Sequence, residues 1–331
     1  MKNPSSEEEK MKICVVGCGR WGSLITWYLA EKKELDVTLY GRSDSENMQR
    51  FLGERKNELL CLPNSVKLST DISCLCDADI IIISINSQGL SALMSELEPL
   101  GLKNKIFVLC MKGIEISTGR RLSEVVADST DVSNKIAVWL GPGHVQEFYA
   151  GIPNCMVIDS QDETTKHTLV DAFSGDLIRF YYGDDLLGNE IGGAAKNVIG
   201  IAAGILDGMG LSTLKGALMS RGTREVARLI DKMGGNELSA YGLCHLGDYE
   251  ATVFSKFSHN RAYGEMLVSG ETYGKLAEGH YTAKAIKLLS EKYGVDMPIC
   301  NCVYEIIYEG KAPDVAISQL FGRSTKNEFY K

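Results

Sequence analysis

The chain has 331 residues, 44% hydrophobic and 24% charged, with a formal net charge of −8. That composition excludes a fibrous or wholly disordered chain, and the length points to about two domains at roughly 150 residues each. The negative charge argues against a nucleic-acid partner, since a phosphate backbone rewards a basic face, but a small anion needs only a few local cations.

Met1–Lys10 is polar and acidic, without the apolar core of a secretory signal. It is expected to be a disordered tail. Short β-rich runs follow at Lys12–Val16, Val37–Tyr40, Val66–Ser69, Ile80–Ile85, Ile106–Cys110, Ala137–Leu140, Asn154–Ile158 and Ile178–Tyr182. Most are rich in Ile and Val and apolar on both faces, as strands covered by helices on both sides are. Helical patterns lie between them at Gly22–Lys32, Gln88–Leu97, Arg120–Ala127 and Glu163–Ser174. This alternation predicts an α/β fold with an N-terminal, doubly wound, Rossmann-type sheet.

The pattern changes near Asp184–Asn189. Beyond it only helical stretches are predicted, at Ile191–Met209, Leu214–Met233, Ala283–Tyr293 and Pro298–Glu309. Turn clusters such as Gly234-Gly235-Asn236 separate them. The expected organisation is a dinucleotide-binding domain over 11–189 and an all-helical substrate domain over 190–331. No linker composition separates the two, so close packing is expected. The apolar runs Ile80–Ile85 and Val198–Leu206 are far too short to span a membrane. Ten cysteines show no metal-site spacing, so no metal is expected, and they read as thiols of a reducing cytoplasm.

Gly17-Cys18-Gly19-Arg20-Trp21-Gly22 has the G-x-G-x-x-G spacing, directly after a predicted strand and opening a predicted helix. Gly17 allows the tight turn, Gly19 lets backbone approach a pyrophosphate, and Gly22 permits close helix–strand packing. The alternative is a packing turn without a ligand. After the second strand, where NAD-selective sites place an acidic residue, the chain has Gly41-Arg42. Arg42 can meet a 2′-phosphate, which favours NADP or dual use, or it is a solvated loop residue.

Further segments resemble the NAD(P)-dependent glycerol-3-phosphate dehydrogenases of the bacterial cytosolic type, in order from residue 12 to about 329. Gly17–Gly22, including Trp21, is similar to the family's GxGxWG turn, and Asn57–Pro63 is a looser match. Lys112-Gly113-Ile114-Glu115 resembles KGIE, and Gly141-Pro142-Gly143-His144 resembles the GPS turn. Gly193–Leu206 is similar to the family's lysine helix, Ala217–Gly222 to ALxxRG, and Gly247-Asp248 to its GD pair. Glu278-Gly279 with Thr282-Ala283 resembles EG…TA.

The resemblance implies reversible hydride transfer between NAD or NADP and a small phosphorylated substrate, dihydroxyacetone phosphate, in a homodimer that supplies a phospholipid precursor. It assigns Lys196 as general acid/base, with a pKa lowered by burial and by Lys112. Asp248 would orient Lys196, and Lys112 would hold substrate and stabilise negative charge. Substrate contacts are implied for Gly141, Gly143, Asn197, Thr252, Ser258, His259 and Asn260. Cofactor contacts are implied for Gly17, Gly19, Arg20, Trp21, Gly22, Arg42, Lys112, Val145, His259 and Glu278.

Several positions depart from the family pattern. His259 stands where the substrate-phosphate motif has arginine, and a neutral imidazole does not replace a bidentate fork. Arg261 compensates, or the phosphate site is weaker, or the substrate is another polyol derivative. Gly143 replaces a serine, Asn86 a proline and Thr213 an asparagine. The alternatives are therefore a same-fold dehydrogenase of another phosphorylated polyol, or a non-catalytic nucleotide-binding paralogue.

Overall fold

A computed structural model describes residues 11–328. The tail Met1–Lys10, expected to be disordered, lies outside the described residues. Eight strands form one sheet: β1 Lys12–Val16, β2 Asp36–Tyr40, β3 Lys67–Ser69, β4 Ile80–Ile83, β5 Ile106–Leu109, β6 Lys135–Leu140, β7 Asn154–Ser160 and β8 Ile178–Tyr182. Their spatial order is β3-β2-β1-β4-β5-β6-β7-β8. The first six run parallel, in the doubly wound order that reverses at β1. β7 instead pairs antiparallel with β6, and β8 runs parallel to β7. The strand runs in the sequence carry no direction, and only the short return through residues 141–153 turns the chain back.

Alternation along the strands builds two apolar layers. Val15, Leu39, Ile80, Ile82, Val108 and Trp139 join the core on one face. Val16, Ile81, Ile83, Phe107 and Leu109 join the core on the other. β4 is buried along its whole length, at about 1.5–3 kcal/mol for each fully buried isoleucine. These layers are covered by α1 Arg20–Trp27, α2 Glu46–Glu54, α3 Leu90–Leu97, α4 Leu122–Asp128, α5 Val145–Tyr149 and α6 Glu163–Phe173. α1 continues as a π turn over Tyr28–Lys32, so the helix starts two residues before the predicted Gly22 and changes its winding before Lys32.

The remaining helices are α7 Leu186–Gly208, α8 Lys215–Lys232, α9 His259–Ser269, α10 Glu278–Tyr293, α11 Pro298–Tyr308 and α12 Pro313–Phe321. No strand occurs among the described residues after β8. α7 is buried on nearly every side, which marks it as the axis of a third core rather than a surface helix. Asp185 caps its start by accepting from Gly188 N–H at 3.0 Å. Buried Glu190 ties it to the sheet half, accepting from Arg121 at 2.7 Å and from the Ser123 hydroxyl at 2.6 Å.

α2, α5, α9 and α12 were not among the predicted helices. α9 lies against α7 at backbone contact. A Cβ on Gly204 would fall 1.9 Å from the Arg261 carbonyl oxygen, and one on Gly264 would fall 2.1 Å from that of Ile201. These glycines bring the start of α9 beside the lysine of α7. No helix of the described residues is long and apolar enough to cross a membrane, and all ten cysteines are free thiols.

Candidate active site

The carboxyl ends of β1, β2, β4, β5 and β6 converge on one edge of the sheet, where open α/β folds receive ligands. Across from them stand α7, the start of α9 and the turns between α8 and α9. Together they enclose a cavity of about 870 Å³.

The glycine turn forms one end. Gly17 has φ +111°, and a Cβ there would lie 2.3 Å from the Ser84 carbonyl oxygen. Nothing lies within 4 Å of a Cβ on Gly19, so that backbone faces open cavity. Gly19 caps α1 without a side-chain acceptor, which leaves the first N–H groups of the helix for an anion. This cradle fits the pyrophosphate of a dinucleotide. Trp21 meets Phe148 edge-on at 5.9 Å, joining this turn to the one after β6. Gly22 stands behind the lining, where a Cβ would strike the Gly17 carbonyl oxygen at 1.9 Å. Arg42 lies at the rim, 62% exposed, and pairs with Glu96 at 2.9 Å.

The other end carries the charged groups. Lys112, past β5, donates to the Gly141 carbonyl at 2.6 Å and to Asp248 Oδ2 at 2.5 Å. Lys196 Nζ reaches the same Oδ2 at 2.8 Å and donates to Thr252 Oγ1, also at 2.8 Å. The Thr252 hydroxyl donates in turn to the Asp248 carbonyl at 2.7 Å. The Lys196 side chain is 10% exposed and that of Asp248 1%. Burial is the main cause that lowers the Lys196 pKa to about 8; Asp248 opposes it and Lys112 adds to it. Asp248 Oδ1 is buried and accepts no hydrogen bond from a described residue.

Asn197 donates to the Lys112 carbonyl and accepts from Asn260, both at 3.0 Å. Ser258 caps α9, accepting from Arg261 N–H at 3.3 Å. His259 follows it into the cavity. Val145 opens α5 at the cavity wall, and Glu278 opens α10, accepting from the Ser87 hydroxyl at 2.6 Å. Gly141 does not line the cavity; its carbonyl holds Lys112. Gly143 does line it, with φ +134° and Phe148 filling the Cβ position at 2.2 Å.

Arg261 is not the compensating group that the sequence suggested. Its Nε donates to Asp207 at 2.6 Å and its Nη2 to Glu265 at 2.8 Å, behind the cavity. The cavity wall also holds residues that the sequence reading had not marked as ligand contacts. His144 and Lys275 line it, while Gln146 and Tyr273 hold lining residues from behind. His144 closes the Gly141-Pro142-Gly143-His144 turn, whereas only the spatial meeting of distant segments marks the other three.

A doubly wound sheet with a glycine cradle, opening onto a buried lysine and its carboxylate, defines a dinucleotide-dependent oxidoreductase. Two family profiles match: the NAD-dependent glycerol-3-phosphate dehydrogenase N-terminus over residues 12–166 and its C-terminus over 185–318. The chain belongs to this family. It is 37% identical to the glycerol-3-phosphate dehydrogenase [NAD(P)+] of Streptomyces coelicolor, over 96% of this chain and 98% of that one. It is 34% identical to the protein of the same name from Chlorobium chlorochromatii, over 96% and 99%. The solved glycerol-3-phosphate dehydrogenase of Coxiella burnetii superposes with a TM-score of 0.89 at 29% identity, covering 95% of this chain and 99% of that one.

Proposed function

We propose that this chain is an NAD(P)-dependent sn-glycerol-3-phosphate dehydrogenase that reduces dihydroxyacetone phosphate reversibly, supplying a glycerophospholipid precursor. The observation that carries the reading is Lys196 Nζ, buried and 2.8 Å from Asp248, in the same cavity as the glycine cradle. When bound, the nicotinamide cofactor supplies or accepts the hydride. Gly17, Gly19, Trp21, Arg42, Val145, His259 and Glu278 would hold it, with Gly22 keeping the turn closed.

Lys196 delivers a proton to the nascent alkoxide oxygen during ketone reduction and takes it back during oxidation. Asp248 orients that ammonium and keeps its pKa from falling further. Lys112 places a second positive charge beside the developing oxyanion. Thr252 and Asn197 fix the two lysines, and Gly143, Ser258, His259 and Asn260 face the rest of the substrate.

The reading divides the chain into two domains near residue 189, in the first turn of α7 and shortly after β8 ends at Tyr182. A cytoplasmic, homodimeric enzyme is part of the reading, and free thiols throughout suit a reducing compartment. His259 favours a second reading, in which the substrate is another phosphorylated polyol. Oxidation of NADH or NADPH with dihydroxyacetone phosphate, beside a panel of other ketose phosphates, separates them. Fast turnover of the triose phosphate supports the first, and turnover of another ketose alone supports the second. Cofactor binding without turnover would leave a non-catalytic paralogue.

A further inference from the structure

A phosphorylated substrate needs a cation at its phosphate end. Lys112 and Lys196 are both committed to Asp248 Oδ2. Arg42 pairs with Glu96 at the far rim, and Arg261 is turned behind the cavity onto Asp207 and Glu265. Lys275 is exposed at the mouth. The remaining cation of the lining is Arg20.

Arg20 leaves the glycine turn and crosses to the start of α9. Its Nη1 lies 2.6 Å from His259 Nε2, and its Nη2 donates to Gln146 Oε1 at 3.3 Å. Arginine only donates, so Nε2 must accept, and the proton then sits on Nδ1. Nδ1 faces the Tyr273 hydroxyl at 2.5 Å. Burial, then Arg20, then Lys275 lower the His259 pKa, consistent with the neutral ring that this geometry requires. A guanidinium has five N–H groups. Two are used in holding it, which leaves a planar set for an anion. The next residue of α9, Asn260, is bonded to Asn197 beside Lys196. The guanidinium therefore stands between the dinucleotide turn and the substrate end of the cavity.

We infer that Arg20 is the phosphate-binding residue for the triose phosphate in this chain, with His259 and Gln146 as its positioning residues. The fork that the resemblance places at position 259 comes here from position 20, across the cavity. The inference rests on the proposed reaction.

The test measures KM and kcat for dihydroxyacetone phosphate, and Kd for NADPH, in four proteins. These are the wild type, Arg20→Ser, His259→Leu and the double variant Arg20→Ser/His259→Arg. Losing hydrogen bonds to a charged group predicts a rise in KM of about 10- to 100-fold for Arg20→Ser, with Kd for NADPH changed far less. His259→Leu shifts KM in the same direction by a smaller factor. The double variant, with the fork restored from α9, recovers most of the KM. An active wild type whose KM is unmoved by Arg20→Ser overturns the inference alone. So does a loss that falls equally on NADPH binding, which would place the guanidinium on the cofactor. A wild type that does not turn over the triose phosphate overturns the reaction itself, and the inference with it.

Discussion

Asp248 Oδ2 lies 2.8 Å from Lys196 Nζ and is shared with Lys112 at 2.5 Å. One carboxylate oxygen thus holds two ammonium groups that come from opposite halves of the molecule. That sharing sets the chemistry. Burial and, to a lesser extent, Lys112 lower the affinity of Lys196 for a proton, while the carboxylate opposes that fall.

The first prediction concerns pH. Reduction needs Lys196 protonated, and oxidation needs it neutral. With its pKa lowered to about 8, kcat for ketone reduction falls as pH rises through about 8. In the oxidative direction kcat rises through the same region. Steady-state rates in both directions across this range check the signs.

Asp248→Asn removes the charge between the two lysines. Lys112 and Lys196 then repel without compensation, and the Lys196 pKa falls further. The pH limit for reduction moves to lower pH, and kcat at neutral pH drops by about 10²-fold or more. An unchanged pH profile in this variant would remove Asp248 from the proton chemistry.

Arg42→Ala tests cofactor selection. Arg42 sits at the rim past β2 and, among the described residues, its side chain is held by an exposed pair with Glu96. Such pairs contribute little to stability, so folding is unaffected. Loss of a charged donor to a 2′-phosphate lowers the preference for NADPH over NADH by about tenfold or more. An unaltered ratio of kcat/KM values would assign Arg42 to solvent.

Gly143→Ser would install the hydroxyl that the family pattern places there. Phe148 occupies the Cβ position at 2.2 Å, and φ is +134°. The substitution therefore costs stability, roughly 1–3 kcal/mol, and lowers Tm. Adding Phe148→Ala opens that space and relieves the steric part.

Much of this was legible because it is local. The Ile and Val runs read as strands because a sheet buried on both faces leaves no polar side. The glycine turn read as a ligand cradle because its spacing follows a strand and opens a helix. Long-range geometry was not legible. The direction of β7 depends on a short return that carries no strand pattern. α9 lacks a clean apolar stripe, since Gly264 buries it through backbone contact with α7. Arg20 and His259 are 239 positions apart, and Arg261 is drawn away by Asp207, 54 positions distant. Lys196 and Lys112 stood out in the resemblance, but their common carboxylate oxygen required the fold.

The most direct test of the central claim is the reduction of dihydroxyacetone phosphate by Lys196→Met beside the wild type, with NADPH binding measured on both. Methionine keeps the stem of the side chain and removes the ammonium. The account predicts a loss in kcat of about 10²- to 10⁴-fold, the range for a positioned general acid, with cofactor affinity nearly unchanged. A Lys196→Met enzyme that binds NADPH and retains the wild-type kcat would contradict it.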